Sequence, residues 1–169
     1  MQFNYTPVPS KAVFGENAAL KLKEEVLSIG GSRMMIAGSK GMIARASHII
    51  ESLGEMCVAV FDGAEPHCPE AVAMAALEIY KESHADCIVA IGGGSTIGIG
   101  KAITLRTEAK FIVIATTPCG SESTPIHGML IGNQKKTGRD RKVIANISIY
   151  DPCLTTSISA HHAGTSGMN

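Results

Sequence analysis

Gly92, Gly93, Gly94 and Ser95 are the residues whose types and spacing most clearly suggest chemistry. They stand between an apolar run, Cys87 to Gly92, and a modest helical pattern that reaches about Leu105. The run reads as a buried strand, and Ser95 stands where a helix N-cap belongs. Strand, glycine turn and helix start together make a phosphate cradle. Glycines let the backbone approach a phosphate, while free N–H groups and the positive end of the helix dipole favour an anion. A tight strand-to-helix turn in an ordinary α/β protein is the alternative, and three glycines followed by a serine favour the phosphate.

The flanking elements place this turn. Lys11 to Phe14 reads as a short strand and Glu16 to Leu27 as a helix ended by Gly30 and Gly31. A strand at Ser32 to Ala37, a helix from about Met42 to Leu53 and a strand at Met56 to Phe61 follow. A helix from Pro69 to about Ser83 carries Val72, Ala75, Ala76, Ile79 and Tyr80 on one face, and Phe111 to Ala115 is a further strand. Gly128 to Ile131 and Val143 to Tyr150 are β-rich and are expected to pair as a hairpin across the polar loop Gly132 to Arg141. A last helix is expected from Ser157 onward.

Strands alternating with helices predict an α/β fold: a Rossmann-like parallel sheet flanked by helices, with an added β-hairpin. In such sheets the ligand lies outside the carboxyl ends of the strands. Gly38 to Gly41, Pro66 to Pro69, Gly92 to Ser95 and Thr116 to Glu122 all lie at those ends, so four loops converge on one rim. The turn Gly38, Ser39, Lys40 lacks the acid that selects NAD by its ribose hydroxyls and holds a lysine instead, so NADPH is expected to be accepted as well as NADH; an ordinary solvated turn is the other reading.

Composition excludes several classes. Fifteen Lys and Arg balance fifteen Asp and Glu, and aromatic residues are 4% with no Trp, so nucleic acid is not an expected partner. No apolar stretch is long enough to span a membrane, and the first residues lack the pattern of a secretory signal. The five cysteines are scattered without a CxxC pair and read as reduced thiols of a cytoplasmic protein.

The chain resembles the N-terminal half of the iron-containing (group III) alcohol dehydrogenase superfamily. The motifs are Phe14-Gly15, Phe61-Asp62-Gly63, Gly92-Gly93-Gly94-Ser95 with Lys101, Thr116-Thr117 leading to Gly120-Ser121-Glu122, Asp151-Pro152, and Ser166-Gly167-Met168. Within it the chain is most similar to the maleylacetate reductases. His67-Cys68-Pro69 follows the Phe61 motif, and Gly98 stands where the metal-dependent members have aspartate. Thr124-Pro125-Ile126 precedes Lys135 to Asp140, and Asn169 stands where the iron enzymes have their first ligand aspartate. An asparagine oxygen is a poorer ligand for a divalent cation, and the resemblance implies metal-free chemistry. His161 and His162 are adjacent, point about 100° apart on a helix and read as polar helix residues. Pro118, Cys119 and His127 depart from the branch, which usually has tyrosine, alanine and tryptophan there. Cys119 reads as a small buried thiol.

The resemblance implies reduction of 2-maleylacetate to 3-oxoadipate by NADH or NADPH, in aromatic compound degradation, by a homodimer when full length. Gly93, Gly94, Ser95 and Thr96 would hold the pyrophosphate, Thr116 and Thr117 would contact the adenosine side, and Ser121 and Lys136 would reach the nicotinamide ribose. Gly38, Ser39 and His67 complete the expected cofactor contacts; for His67 an ordinary polar loop histidine is the equal alternative. Lys135, Lys136, Arg139 and Arg141 form a basic loop that would assist a dicarboxylate substrate or serve as a solvated tip. Residues 1–151 are the expected dinucleotide-binding domain and 152–169 the start of the family's all-helical C-terminal domain. The catalytic residues are expected beyond Asn169. Two rival readings remain: a metal-dependent alcohol or polyol dehydrogenase of the same superfamily, and a non-catalytic nucleotide-binding module.

Overall fold

The computed structural model describes residues 9–156 and 158–168. In chain order the elements are β1 (Lys11–Phe14), a 3-10 turn at Ala18–Lys21, α1 (Leu22–Ser28), β2 (Met34–Ala37), α2 (Lys40–Arg45), α3 (Ser47–Ser52) and β3 (Cys57–Phe61). There follow α4 (Glu70–Glu82), β4 (Cys87–Gly92), α5 (Gly94–Arg106), β5 (Lys110–Ala115), β6 (Ile126–Ile131), β7 (Gln134–Arg139), β8 (Ile147–Tyr150), α6 (Pro152–Thr155) and α7 (Ala160–Gly167).

Six strands form a parallel sheet in the order β1-β8-β5-β4-β2-β3, and β6 pairs with β7 as a separate antiparallel hairpin. All residues of β2 and β4 are buried, because helices cover both faces, and this is why their sequences are continuously apolar. One core layer packs α4 and α5 on Met35, Ile88, Ala90, Phe111 and Val113. The other packs α1, α3 and the first 3-10 turn on Met34, Ile36, Val89, Ile91, Ile112 and Ile149. Gly100 presses α5 onto the sheet: a Cβ there would lie 2.2 Å from the Phe111 ring.

From β2 the chain moves outward to β3; from β4 it moves the opposite way to β5. The crevice between the carboxyl ends of β2 and β4 is therefore the topological switch point, where α/β sheets bind ligands.

The structure corrects four expectations. The hairpin partner of β6 is residues 134–139 rather than Val143 to Tyr150. Gly132, at φ 59°, and Asn133 make a two-residue turn, and the polar 134–139 stretch forms a strand because it lies off the core and needs no apolar face. Residues 147–150 instead slot between β1 and β5, where Ile147 and Ile149 are buried. Ser95 is not the N-cap of α5. Gly93 is, and its carbonyl accepts from Ile97 N–H at 3.0 Å. The predicted helix from Met42 to Leu53 is two short helices broken at Ala46, whose φ and ψ of −91° and 9° leave the helical region. The buried face of α4 is Ala73, Ala76, Leu77 and Tyr80, with Ala75 exposed, because two helical stripes one residue apart carry similar apolar residues. The expected helix from Ser157 appears as α7; Ser157 itself lies outside the described residues.

Candidate functional site: a cleft at the switch point

A cleft of about 640 Å³ opens over the carboxyl ends of β2, β4 and β5. Residues of all four rim loops line it, joined by the β6–β7 hairpin and α7. Ser39 comes from the β2 turn, His67 and Cys68 from the β3–α4 loop, and Gly93 to Gly98 from the start of α5. Thr117, Cys119 and Ser121 come from the loop after β5.

The amino end of α5 carries no side-chain cap, since Gly93 has no side chain to supply one. Its first N–H groups therefore face the cleft without an intrahelical acceptor, and the helix dipole adds positive potential. Gly93 must be glycine for packing: a Cβ would lie 2.7 Å from Thr117 Oγ1 and 2.8 Å from its Cγ2. Thr117 Oγ1 is buried and without a hydrogen-bond partner. An uncapped helix end and an unpartnered hydroxyl beside it fit a ligand with both phosphate and hydroxyl groups, as a dinucleotide has. The ionisable lining supports an anion: Lys101, Lys135, His67, His127 and His162 stand with a single acid, Glu65.

Of the expected cofactor contacts, Ser39, His67, Gly93, Gly94, Ser95, Thr96, Thr117 and Ser121 line the cleft. Gly38, Thr116 and Lys136 do not. Gly38 is buried, and a Cβ there would lie 2.8 Å from Ile43 Cδ1. Thr116 is buried with its N–H donating to Gly92 O at 3.0 Å, and so stitches β5 to β4. Lys136 pairs with Met129 on the hairpin, and its neighbours Lys135 and Thr137 are the ones at the cleft. Ser39 also caps α2, accepting from Met42 N–H.

The loop before α4 is strained. His67 and Cys68 both adopt left-handed backbone conformations, at φ 63° and 52°. Leu130 N–H donates to Cys68 O at 3.1 Å and pins this loop to the hairpin. Burial raises the Cys68 thiol to about 11. Cys119 is half-buried and sits at the cleft rather than in the core.

Lys101 is buried at the cleft wall, a position that its residue type alone does not announce. Its Nζ donates to Thr124 O at 2.9 Å, to Thr124 Oγ1 at 3.3 Å and to Ile126 O. Burial lowers its pKa to about 8, with Glu122 and Cys119 acting in the other direction. Glu122 is itself buried and accepts from Tyr150 OH at 2.9 Å, while its Oε2 has no partner. The readable signal was a lone cation within the apolar stretch Ile97 to Leu105.

Six parallel strands flanked by helices, with an uncapped glycine turn at the switch point, define a Rossmann-like α/β protein. The family model for iron-containing alcohol dehydrogenase matches residues 9–152, and the chain belongs to that family. It is 41% identical over 169 residues to maleylacetate reductase of Sphingobium indicum, covering 100% of this chain and 48% of that protein. It is 40% identical over 167 residues to maleylacetate reductase of a Rhizobium species, covering 99% and 48%. The crystal structure of maleylacetate reductase from Agrobacterium tumefaciens superposes with a TM-score of 0.94 at 38% identity, again over 100% and 48% of the two chains. The chain thus spans about half the length of the curated relatives it matches and corresponds to their N-terminal half.

The family name implies iron. Among the described residues no three His, Cys, Asp or Glu side chains gather as a ligand set, and Asn169 lies outside them. No helix among them is long and apolar enough to cross a membrane.

Proposed function

We propose that this chain is the cofactor-binding half of an NAD(P)H-dependent maleylacetate reductase, which reduces 2-maleylacetate to 3-oxoadipate in the cytoplasmic breakdown of aromatic compounds. One observation carries the reading: the uncapped amino end of α5 faces Thr117, whose buried hydroxyl lacks a partner, in a chain that aligns along its whole length with maleylacetate reductases.

In this reading Gly93, Gly94, Ser95 and Thr96 hold the pyrophosphate, and Thr117 takes an adenosine-side hydroxyl. Ser39 would meet the adenosine ribose at the β2 turn; the turn Gly38, Ser39, Lys40 itself carries no acid to compete with a 2′-phosphate, so both NADH and NADPH are accepted. Ser121 and Lys135 approach the nicotinamide ribose, with Lys135 taking the place first expected for Lys136. When bound, NAD(P)H would supply a hydride for the alkene carbon β to the ketone. The protein's task is then to hold the dicarboxylate and steady the enolate until it is protonated. Lys135, His67, His127 and His162 are the cationic or donor groups at the cleft that suit such a substrate. The reaction is metal-free, and the proton donor lies in the second half of a full-length homodimer. This half alone binds NAD(P)H without turnover.

The test is oxidation of NADH and NADPH by the full-length protein with maleylacetate and with simple aldehydes, with and without a chelator. The aldehydes belong in the test because Cys119 and His127 both border the cleft. Activity confined to maleylacetate and indifferent to chelation is expected. Activity confined to aldehydes, or lost to the chelator and restored by iron or zinc, overturns the proposal.

A further inference from the structure

We infer that Lys101 is a positioning residue that fastens the β6–β7 hairpin to the cofactor helix α5, so that the hairpin wall of the cleft is preset when the cofactor binds. The inference rests on the cofactor reading above.

Lys101 is the single cation among the described residues that the fold buries this fully. An ammonium has three donors, and three acceptors meet it: Thr124 O, Thr124 Oγ1 and Ile126 O. None is left for cofactor or substrate, so Lys101 does not act on the reacting atoms. Its acceptors lie where the chain leaves the loop after β5 and enters β6. The fastening runs on from there. Thr124 Oγ1 donates to Ser121 O at 3.2 Å, Ala145 N–H donates to Glu122 O at 3.1 Å, and Asp140 N–H donates to Pro125 O at 2.9 Å at the hairpin's base. One side chain on α5 therefore ties together the Ser121 turn and the hairpin that presents Lys135 and Thr137.

A second observation points the same way. The hairpin has no pairing with the parallel sheet; Met129 packs against the core, and among the described residues the polar links to the rest of the fold include the Pro69–Leu130 bridge, the Cys68 carbonyl and these Lys101 bonds. A buried charge is an expensive fastening where an apolar contact would do, unless the carbonyls it meets must be held at fixed positions.

The test is Lys101→Met, which keeps the stem and removes the donors. A buried charge replaced by an apolar group of similar length often leaves stability unchanged or raised. K101M is therefore expected to unfold no more readily than the parent. Backbone amides of residues 126–139 should nevertheless exchange faster, and NADH, followed by its fluorescence, should bind about tenfold more weakly, the size expected for charged hydrogen bonds. A merely structural lysine would lower stability and affinity together. Lys101→Arg, which restores a cation with donors, should recover part of the affinity. Where K101M does not fold, Thr124→Val removes one Lys101 acceptor together with the Thr124 bond to Ser121 O, and should weaken binding about threefold. Unchanged hairpin exchange and unchanged NADH affinity in a folded variant overturn the inference alone. Failure of the unsubstituted protein to bind NADH overturns the cofactor reading on which it rests.

Discussion

Cys68 occupies the space that a side chain at position 98 would need. A Cβ on Gly98 would lie 3.0 Å from Cys68 Cβ and 3.2 Å from its Sγ. Cys68 cannot easily retreat, because its backbone is held at φ 52° and its carbonyl accepts from Leu130. Gly98 is thus matched to a particular neighbour in the lining of the cleft.

Gly98→Ala should lower stability by about 1–3 kcal/mol, the usual cost of overpacking. Cys68→Gly removes both opposing atoms and suits the left-handed backbone. In that background the cost of Gly98→Ala should fall below about 0.5 kcal/mol. Denaturant unfolding of the four proteins in the cycle measures this; equal costs in both backgrounds would contradict the fit.

Lys101 should make stability depend on pH in an unusual direction. Its folded pKa is about 8 against an ordinary 10.5, so between these values the unfolded chain holds a proton that the folded chain has released. The stabilisation is full above about pH 10.5 and is lost as pH falls through about 8. The stability difference between the parent and K101M should therefore rise across this window by an amount on the order of 3 kcal/mol. Urea unfolding of both proteins at several pH values reads it, and a flat difference would refute it.

Lys135 and Lys136 are adjacent on β7 but should behave differently. Lys135 is at the cleft and Lys136 is not. Lys135→Ala should weaken NADPH and NADH binding about threefold to tenfold, whereas Lys136→Ala should change it by less than about twofold. Equal losses would mean that the charge of the hairpin, rather than its face, matters.

Asp151 is buried and accepts from three backbone N–H groups, those of Asn17 and Ala19 at 3.1 Å and Cys153 at 3.0 Å. Asp151→Ala leaves all three donors unmet and should cost about 3 kcal/mol or more. Thermal melts should show a correspondingly lower midpoint; an unchanged midpoint would show that water replaces the carboxylate.

Strands β1 to β5 of the parallel sheet and the glycine turn at Gly92 to Gly94 are legible in the sequence, whereas β8 reads as a hairpin arm and only the fold inserts it between β1 and β5. A strand buried on both faces must be apolar throughout, and a chain that turns from strand to helix beside a ligand needs glycine. The convergence of the Ser39, His67, Gly93 and Thr117 loops is also legible, because parallel topology puts all carboxyl ends on one rim.

What the tertiary structure alone decided concerns partners and faces. Residues 134–139 are polar on both sides, so no pattern tells strand from loop, and only pairing with β6 makes them a strand. Lys135 rather than Lys136 meets the cleft because strand faces alternate every residue, and the register comes from the Gly132-Asn133 turn. On α4 the buried face keeps Ala76 and Tyr80 but takes Ala73 and Leu77 in place of Ala75 and Ile79, because apolar residues there can serve either stripe. Gly98 and Lys101 were visible as letters, but the thiol that fills the space beside Gly98 lies 30 residues earlier in the chain and the oxygens that saturate Lys101 lie 23 and 25 residues later. Their meeting is a property of the packed fold, not of any local spacing.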